Sequence, residues 1–452
     1  MTDIIFWTGI WPNWTTRSIG AYQLAHWLRT HNINCQVIDF CQWMTSEELL
    51  DLTETFITDK TKYIGISTTF WPPGVIPKNI KDAIDHIRKY NTSIKFIFGG
   101  GQNLPHEIKN IADIVITGEA ESKLVELIKG HNIGSSTFDI TQLAHRFDQR
   151  DCIVDGEVLP IELGRGCIFQ CKFCGHHNLG KPKHTYQRCM RLVEEELVYN
   201  YEQFKTVNYH FLDDTVNEDQ DKVLNLSMLP KRTGIDIAWT GYLRADLLWR
   251  YPDTPFQLKE SGLKSCFFGI ESFHPAASRS IGKGWSGKHA KDYLPKLYND
   301  IWNKEIPIWN NFIVGLPYET KEDLLETVKW CKNNPMGIHR FVNLNLYTNR
   351  SGDDTTSEFG KNYKKYGYEL DSQNNWSSPT MTERDGDQMC SLLNTVLRST
   401  NTLACWMLFD LINCGITVDS GKSILLKDQH AYKKNFESFL NNYKLKLKST
   451  EF

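Results

Sequence analysis

The sequence contains no apolar run of the roughly 18 to 20 residues that a membrane-spanning helix requires. Its start, Met1 to Trp14, lacks the basic stretch followed by an apolar one that marks a secretory signal, so a cytoplasmic location is expected and no membrane partner. Charge of one sign is also lacking: 51 Lys and Arg stand against 54 Asp and Glu, a formal net charge of −3. With the signs mixed along the chain, there is no basic face for nucleic acid and no acidic tail. Internal repeats and low-complexity tracts are absent. Twelve cysteines in a chain of this type read as buried thiols plus a metal site, because the cytosol keeps thiols reduced. Only three of them are clustered.

What is present is a globular α/β chain of 452 residues, 40% hydrophobic, long enough for about three domains of ordinary size. Over the first 150 residues, short apolar runs at 3–6, 35–40, 63–67, 94–98 and 114–116 alternate with amphipathic stretches such as 19–30 and 80–90. This spacing suits right-handed crossovers between parallel strands. It predicts a Rossmann-like, doubly wound sheet over residues 1–140, with ligand loops at 11–20, 67–74 and 99–101. A polar stretch at 134–150 reads as a linker. A second series of strands begins at Leu159 and continues through 209–212, 237–239, 265–270, 309–314 and 341–346. Six such strands with intervening helices predict a partial (β/α)6 barrel of TIM type over 155–347, its strand ends surrounding one pocket. Residues 348–452 then carry helical periodicity at 388–416 and 432–447 and read as a helical cap or substrate region that includes Trp376.

The chemistry lies in Gly164-Arg165-Gly166-Cys167-Ile168-Phe169-Gln170-Cys171-Lys172-Phe173-Cys174-Gly175. Structural zinc and ferredoxin-type clusters each take four protein ligands, so three thiols in a C-x3-C-x2-C spacing leave one metal position open. The competing reading is a zinc loop completed by His176 or His177, but structural zinc pairs ligands from two separated loops and no second pair is found.

This loop, with the aromatic Phe173 just before its third cysteine, resembles the signature of the radical S-adenosylmethionine (SAM) superfamily. The resemblance covers roughly residues 160–347. It implies that Cys167, Cys171 and Cys174 hold a [4Fe–4S] cluster whose open iron takes the amino and carboxylate groups of SAM. Reductive cleavage of SAM would then give a 5′-deoxyadenosyl radical, with an electron donor such as flavodoxin or ferredoxin and a small-molecule or peptide substrate. Asp213 and Asp214 stand where the family binds the SAM amino group, in place of the usual Gly-Gly-Glu. Arg244 matches an arginine that pairs with the SAM carboxylate, for which a planar fork is suited. Glu271 and Ser272 suit the ribose hydroxyls. Gly315 lies in a segment that packs under adenine, although there Tyr318 stands where an acid is common and Glu319 follows one residue late.

The amino-terminal region resembles the subfamily with a cobalamin-binding-like domain, through Ser18-Ile19-Gly20-Ala21-Tyr22, Gly65-Ile66-Ser67-Thr68-Thr69, Phe98-Gly99-Gly100 and 112–119. The D-x-H-x-x-G string that supplies a cobalt ligand is missing, and Asp428-Gln429-His430 lacks its glycine. Either cobalamin is held without a histidine, against a wall of Trp11, Trp14, Phe70 and Trp71, or the domain is a scaffold. The resemblance thus implies radical chemistry with cobalamin-dependent methyl transfer as an open option. The alternative from another class is a non-catalytic metal- or cluster-binding module. A methylthiotransferase would need three further cluster cysteines in the first domain, where only Cys35, Cys41 and Cys152 are available, in or near strands.

Overall fold

A computed structural model describes residues 1–9, 15–69, 76–100, 108–130, 138–175, 186–346, 357–402, 409, 411–413 and 436–450. They form two compact units: Met1–Pro160 with Glu195–Thr206 and Asn435–Phe452, and Ile161–Glu194 with Val207–Lys434. Among the described residues, no helix is long and apolar enough to cross a membrane.

The first unit holds five parallel strands, β1 (Ile4–Trp7), β2 (Cys35–Ile38), β3 (Tyr63–Ser67), β4 (Lys95–Gly99) and β5 (Ile114–Ile116), in the order β2-β1-β3-β4-β5. Ile4, Ile5, Phe6 and Trp7 are all buried. This is why a central strand covered on both faces reads as an unbroken apolar run rather than an alternating one. Of the helices between strands, Lys78–Tyr90 buries Ile80, Ala83, Ile84 and Ile87 on one stripe. Ser46–Phe56 starts at a capping box between Thr45 and Glu48. The strand order reverses between β1 and β3, the point at which doubly wound sheets open a crevice beyond their carboxyl ends. At that end of β4, Gly100 has φ +91 and a Cβ there would stand 2.4 Å from Thr69 Oγ1, so only glycine fits. Trp11, Trp14, Phe70, Trp71 and Gly101 lie outside the described residues.

Of the stretch 134–150 expected as a linker, the described residues 138–150 instead pack into this unit, together with Asp151. Ile140, Leu143, Phe147 and Asp151 are buried, and Asp151 Oδ1 accepts from Arg29 at 2.8 Å. A few well-spaced apolar residues are enough to anchor a segment whose average composition is polar. Nearby, Arg17 and Glu157 form an ion pair with both side chains fully buried. Arg17 also donates to Tyr22 Oη at 2.6 Å and to the carbonyls of Asp151 and Cys152 at 2.9 and 3.1 Å. A buried guanidinium is tolerated only when its donors are met in this way. The carboxyl-terminal helix Phe436–Lys448 belongs here as well: the Asp39 N–H donates to Tyr443 Oη at 2.9 Å, and the Tyr443 ring lies 4.8 Å from the Arg17 guanidinium.

The second sheet runs in sequence order, β6 (Leu159–Ile161), β7 (Asn208–Phe211), β8 (Ala238–Leu243), β9 (Leu263–Glu271), β10 (Ile308–Val314) and β11 (Gly337–Asn343). Neighbours pair in parallel from β7 to β11. This is the six-stranded partial barrel expected. β11 begins four residues before the predicted run, because His339 and Arg340 interrupt its apolar pattern. Its outer edge is covered by side chains. Asn394, from the helix Glu383–Leu397, accepts from Phe341 N–H and donates to Phe341 C=O, both at 2.8 Å. Asn401 does the same for His339 at 3.1 and 2.9 Å. Two primary amides thus stand where a seventh strand's peptide groups would pair with His339 and Phe341.

Candidate active site

The cysteine loop leaves β6 under several restraints. The Leu163 N–H donates to Asp213 Oδ2 at 2.8 Å. Gly164 bridges Gln187, where a Cβ would lie 3.1 Å from the Tyr186 carbonyl, and Gly166 turns at φ +99. Further along, Lys172 is held on both sides: its N–H donates to the Ile281 carbonyl at 3.0 Å and its carbonyl accepts from Phe359 N–H at 2.9 Å. Cys167 is buried, with its thiol pushed up by burial and Sγ lying 3.7 Å from Thr215 Oγ1. Cys171 and Cys174 are half-buried. The three thiols share the loop, but among the described residues no group of three or more His, Cys, Asp or Glu side chains is drawn together as a metal site. His176 and His177 lie outside the described residues, as do Cys405 and Cys414. Cys35, Cys41, Cys152, Cys266, Cys331 and Cys390 are each buried.

The acids after β7 divide their work. Asp213 is buried between Leu163 N–H and Lys222 Nζ, the latter at 2.8 Å from Oδ1. Burial outweighs the lysine and pushes its carboxyl up to about 6. Its oxygens therefore brace the cysteine loop from below. Asp214 is half-buried, and its carbonyl accepts from Thr215 Oγ1 at 2.7 Å.

After β8, Arg244 is buried and presents its fork to Asp246, with Nε to Oδ1 at 3.0 Å and Nη2 to Oδ2 at 2.8 Å. Burial disfavours its charge, but the hydrogen bonds and charge of Asp246 more than offset this and the guanidinium stays ionised. The fork that was expected to meet the SAM carboxylate is thus turned towards a neighbour two residues on.

At the end of β9, Glu271 sits at φ +68, an uncommon conformation for a residue with a Cβ. Its Oε1 accepts from Lys283 Nζ at 2.6 Å. Lys283 lies between Gly282 and Gly284, at φ +79 and +81, so the turn presents this one side chain inward. Its ammonium also donates to the Gly269 carbonyl and stands 5.7 Å from the centroid of the half-buried Phe173 ring. Ser272 is buried and donates to Glu319 Oε1. Burial pushes the Glu319 carboxyl up to about 8. After β10, Gly315 turns at φ +95, and a Cβ there would meet the Trp376 ring at 2.5 Å. Its carbonyl accepts from Tyr368 Oη at 2.6 Å. The close approach that this glycine permits is filled by an indole from the region after the barrel.

Arg244 reaches Phe169, Cys171 and the Lys283 carbonyl, and Lys283 reaches Glu271 and Phe173, so these six form one connected group, while Ser272 joins Glu319 and Gly315 joins Trp376. Sequence reasoning missed Lys283 and Lys222. The Gly-Lys-Gly string was a signal for the first, since two glycines around one charged residue indicate a turn that aims it.

Residues 161–331 match the family described as the radical SAM superfamily. An uncharacterized methyltransferase of Pyrococcus horikoshii, PH0819, is 29% identical over 180 residues, covering 39% of this chain and 37% of that protein. The bacteriochlorophyllide d C-8(2)-methyltransferase of Chlorobaculum tepidum is 22% identical over 322 residues, covering 63% of this chain and 67% of that one. The chain thus spans little more than a third of the first relative. Among solved structures, the radical S-adenosylmethionine methyltransferase TsrM of Kitasatospora setae, with cobalamin and a [4Fe–4S] cluster bound, matches with a TM-score of 0.68 at 13% identity. That match covers 98% of this chain and 100% of TsrM. The cobalamin-dependent S-adenosylmethionine radical enzyme OxsB matches with a TM-score of 0.57 at 14% identity, covering 97% of this chain and 67% of OxsB. At these identities the likeness is one of fold.

Proposed function

We propose that this chain, whose residues 161–331 are a radical SAM domain, is a cobalamin-dependent radical SAM methyltransferase acting on a small molecule or peptide. The observation that carries this reading is the joining of two elements in one chain. One is a C-x3-C-x2-C loop at the end of the first strand of an open six-stranded barrel; the other is a parallel sheet of order β2-β1-β3-β4-β5.

The donor set fits a [4Fe–4S] cluster. Cys167, Cys171 and Cys174 are soft thiolate ligands on one backbone-clamped loop, three in number, which leaves an iron open for SAM. The strand ends fit SAM. Glu271, held by Lys283, and Ser272, held by Glu319, offer hydrogen bonds to the ribose hydroxyls, while Phe173 and Gly315 offer apolar surface to the nucleoside. The SAM carboxylate is left to the Lys283 ammonium and the remaining Nη1 hydrogen of Arg244, and the amino group to the carboxylate of Asp214. In the first unit, the described carboxyl edge of β3 and β4 presents Ser67, Thr69 and the bare backbone of Gly99 and Gly100, a surface of hydroxyls and peptide groups that a corrin with amide side chains can approach closely. When bound, the cluster supplies an electron to SAM and cobalamin carries a methyl group. The residues around them bind, orient and exclude water. The electron itself comes from a reductant of the flavodoxin or ferredoxin class.

The test is anaerobic reconstitution with iron, sulfide and hydroxocobalamin, followed by absorption spectroscopy and incubation with SAM, reductant and a metabolite or peptide extract. Cluster bands, corrin bands and products heavier by one methyl group are expected. Cluster bands without corrin uptake would make the first unit a scaffold, and absence of SAM turnover would favour a non-catalytic cluster module.

A further inference from the structure

We propose that Arg244 is a positioning residue of the cysteine loop, holding Phe169 and Cys171 in place and raising the reduction potential of the cluster. The inference rests on the cluster reading above. Arg244 is fixed before its side chain begins, because the Asn217 amide accepts from its N–H at 2.8 Å and donates to its carbonyl at 3.0 Å. Asp246 then sets the plane of the guanidinium through two hydrogen bonds, and Nη2 donates further to the Lys283 carbonyl at 2.7 Å. These restraints aim the rest of the group at the loop. The guanidinium carbon stands 3.8 Å from the centroid of the Phe169 ring, close enough for face-on stacking. Nη1 lies 3.5 Å from Cys171 Sγ. Phe169 falls between the first two cysteines, so one side chain touches the loop at two points two residues apart.

The second contact carries the functional consequence. Reduction adds negative charge to a cluster, and a cation donating a hydrogen bond to one of its thiolate sulfurs favours the reduced form. Charge and hydrogen bonds to sulfur are among the factors that set such potentials. Lysine has neither the fork that meets Asp246 nor the face that carries Phe169.

The experiment is a redox titration of the reconstituted full chain without SAM, followed by electron paramagnetic resonance, with iron and sulfide counted for each variant. Arg244→Gln is expected to keep its cluster and shift to a more negative midpoint potential, with Arg244→Lys falling between it and the wild type. Arg244→Gln with full iron and an unchanged potential would overturn the proposal. Phe169→Leu leaves the Arg244–Asp246 pair intact. It is expected to take up iron more slowly while keeping a near-wild-type potential, and it decides the positioning role should Arg244→Gln fail to fold. Uptake by Phe169→Leu at the wild-type rate would contradict that role. Failure of the wild-type chain to take up iron would instead count against the cluster reading itself.

Discussion

Ser272 donates its hydroxyl hydrogen to Oε1 of Glu319, tying the loop after β9 to the loop after β10. The other carboxyl oxygen of Glu319 is buried with no hydrogen-bond partner among the described residues, so the site favours the neutral acid. Its carboxyl is pushed by burial from its ordinary 4.5 up to about 8. The folded chain therefore binds a proton that the unfolded chain releases between those values. The stability tied to this proton is complete below the unfolded value and is lost as pH rises through the folded one, at up to about 1.4 kcal/mol per pH unit. Urea midpoints at pH 5, 6.5 and 8 are expected to fall with pH in the wild type and to fall less in Glu319→Gln. Equal slopes in the two proteins would remove Glu319 from the account.

Glu271 and Lys283 lead to a second prediction. Replacing Glu271 with Gln removes a charged acceptor from the proposed ribose position and leaves the three cysteines unchanged. A hydrogen bond to a charged group is worth roughly 1.5 to 3 kcal/mol, or about ten- to a hundredfold in affinity. Equilibrium dialysis of reconstituted Glu271→Gln is expected to show SAM binding weakened by that factor at unchanged iron content. Wild-type affinity would reject the assignment.

The architecture was largely legible in the sequence because parallel strands buried on both faces write themselves as apolar runs. The predicted 63–67 and 114–116 coincide with β3 and β5, and the helix Ile19–Thr30 was read to the residue. At the candidate site it was position that could be read: Cys167, Cys171 and Cys174 lie on the loop after β6 and Glu271 ends β9. What could not be read was the direction of side chains. Asp213 stands in the expected place but is spent on Leu163 and Lys222, and Arg244 is turned towards Asp246. Nor does local pattern reveal long-range joins, such as Tyr443 against Asp39 or Trp376 over Gly315.

Asn394 gives a prediction about the barrel edge. Asn394→Ala would leave both the N–H and the carbonyl of Phe341 without their partner, at a cost of about 1 to 3 kcal/mol. Chemical denaturation is expected to show this loss, with Asn394→Asp in between, since it keeps an acceptor for the N–H but has no donor for the carbonyl. An unchanged midpoint in Asn394→Ala would mean that water substitutes fully at this edge.

The most direct test of the central claim is the iron and acid-labile sulfide content of anaerobically reconstituted protein, wild type beside the variant with Cys167, Cys171 and Cys174 all changed to alanine. Because a cluster with only three protein ligands cannot spare one, a single [4Fe–4S] cluster is expected per wild-type chain and none in the variant, and Cys171→Ala alone should also lose it. Full iron and sulfide in the triple variant would contradict the account.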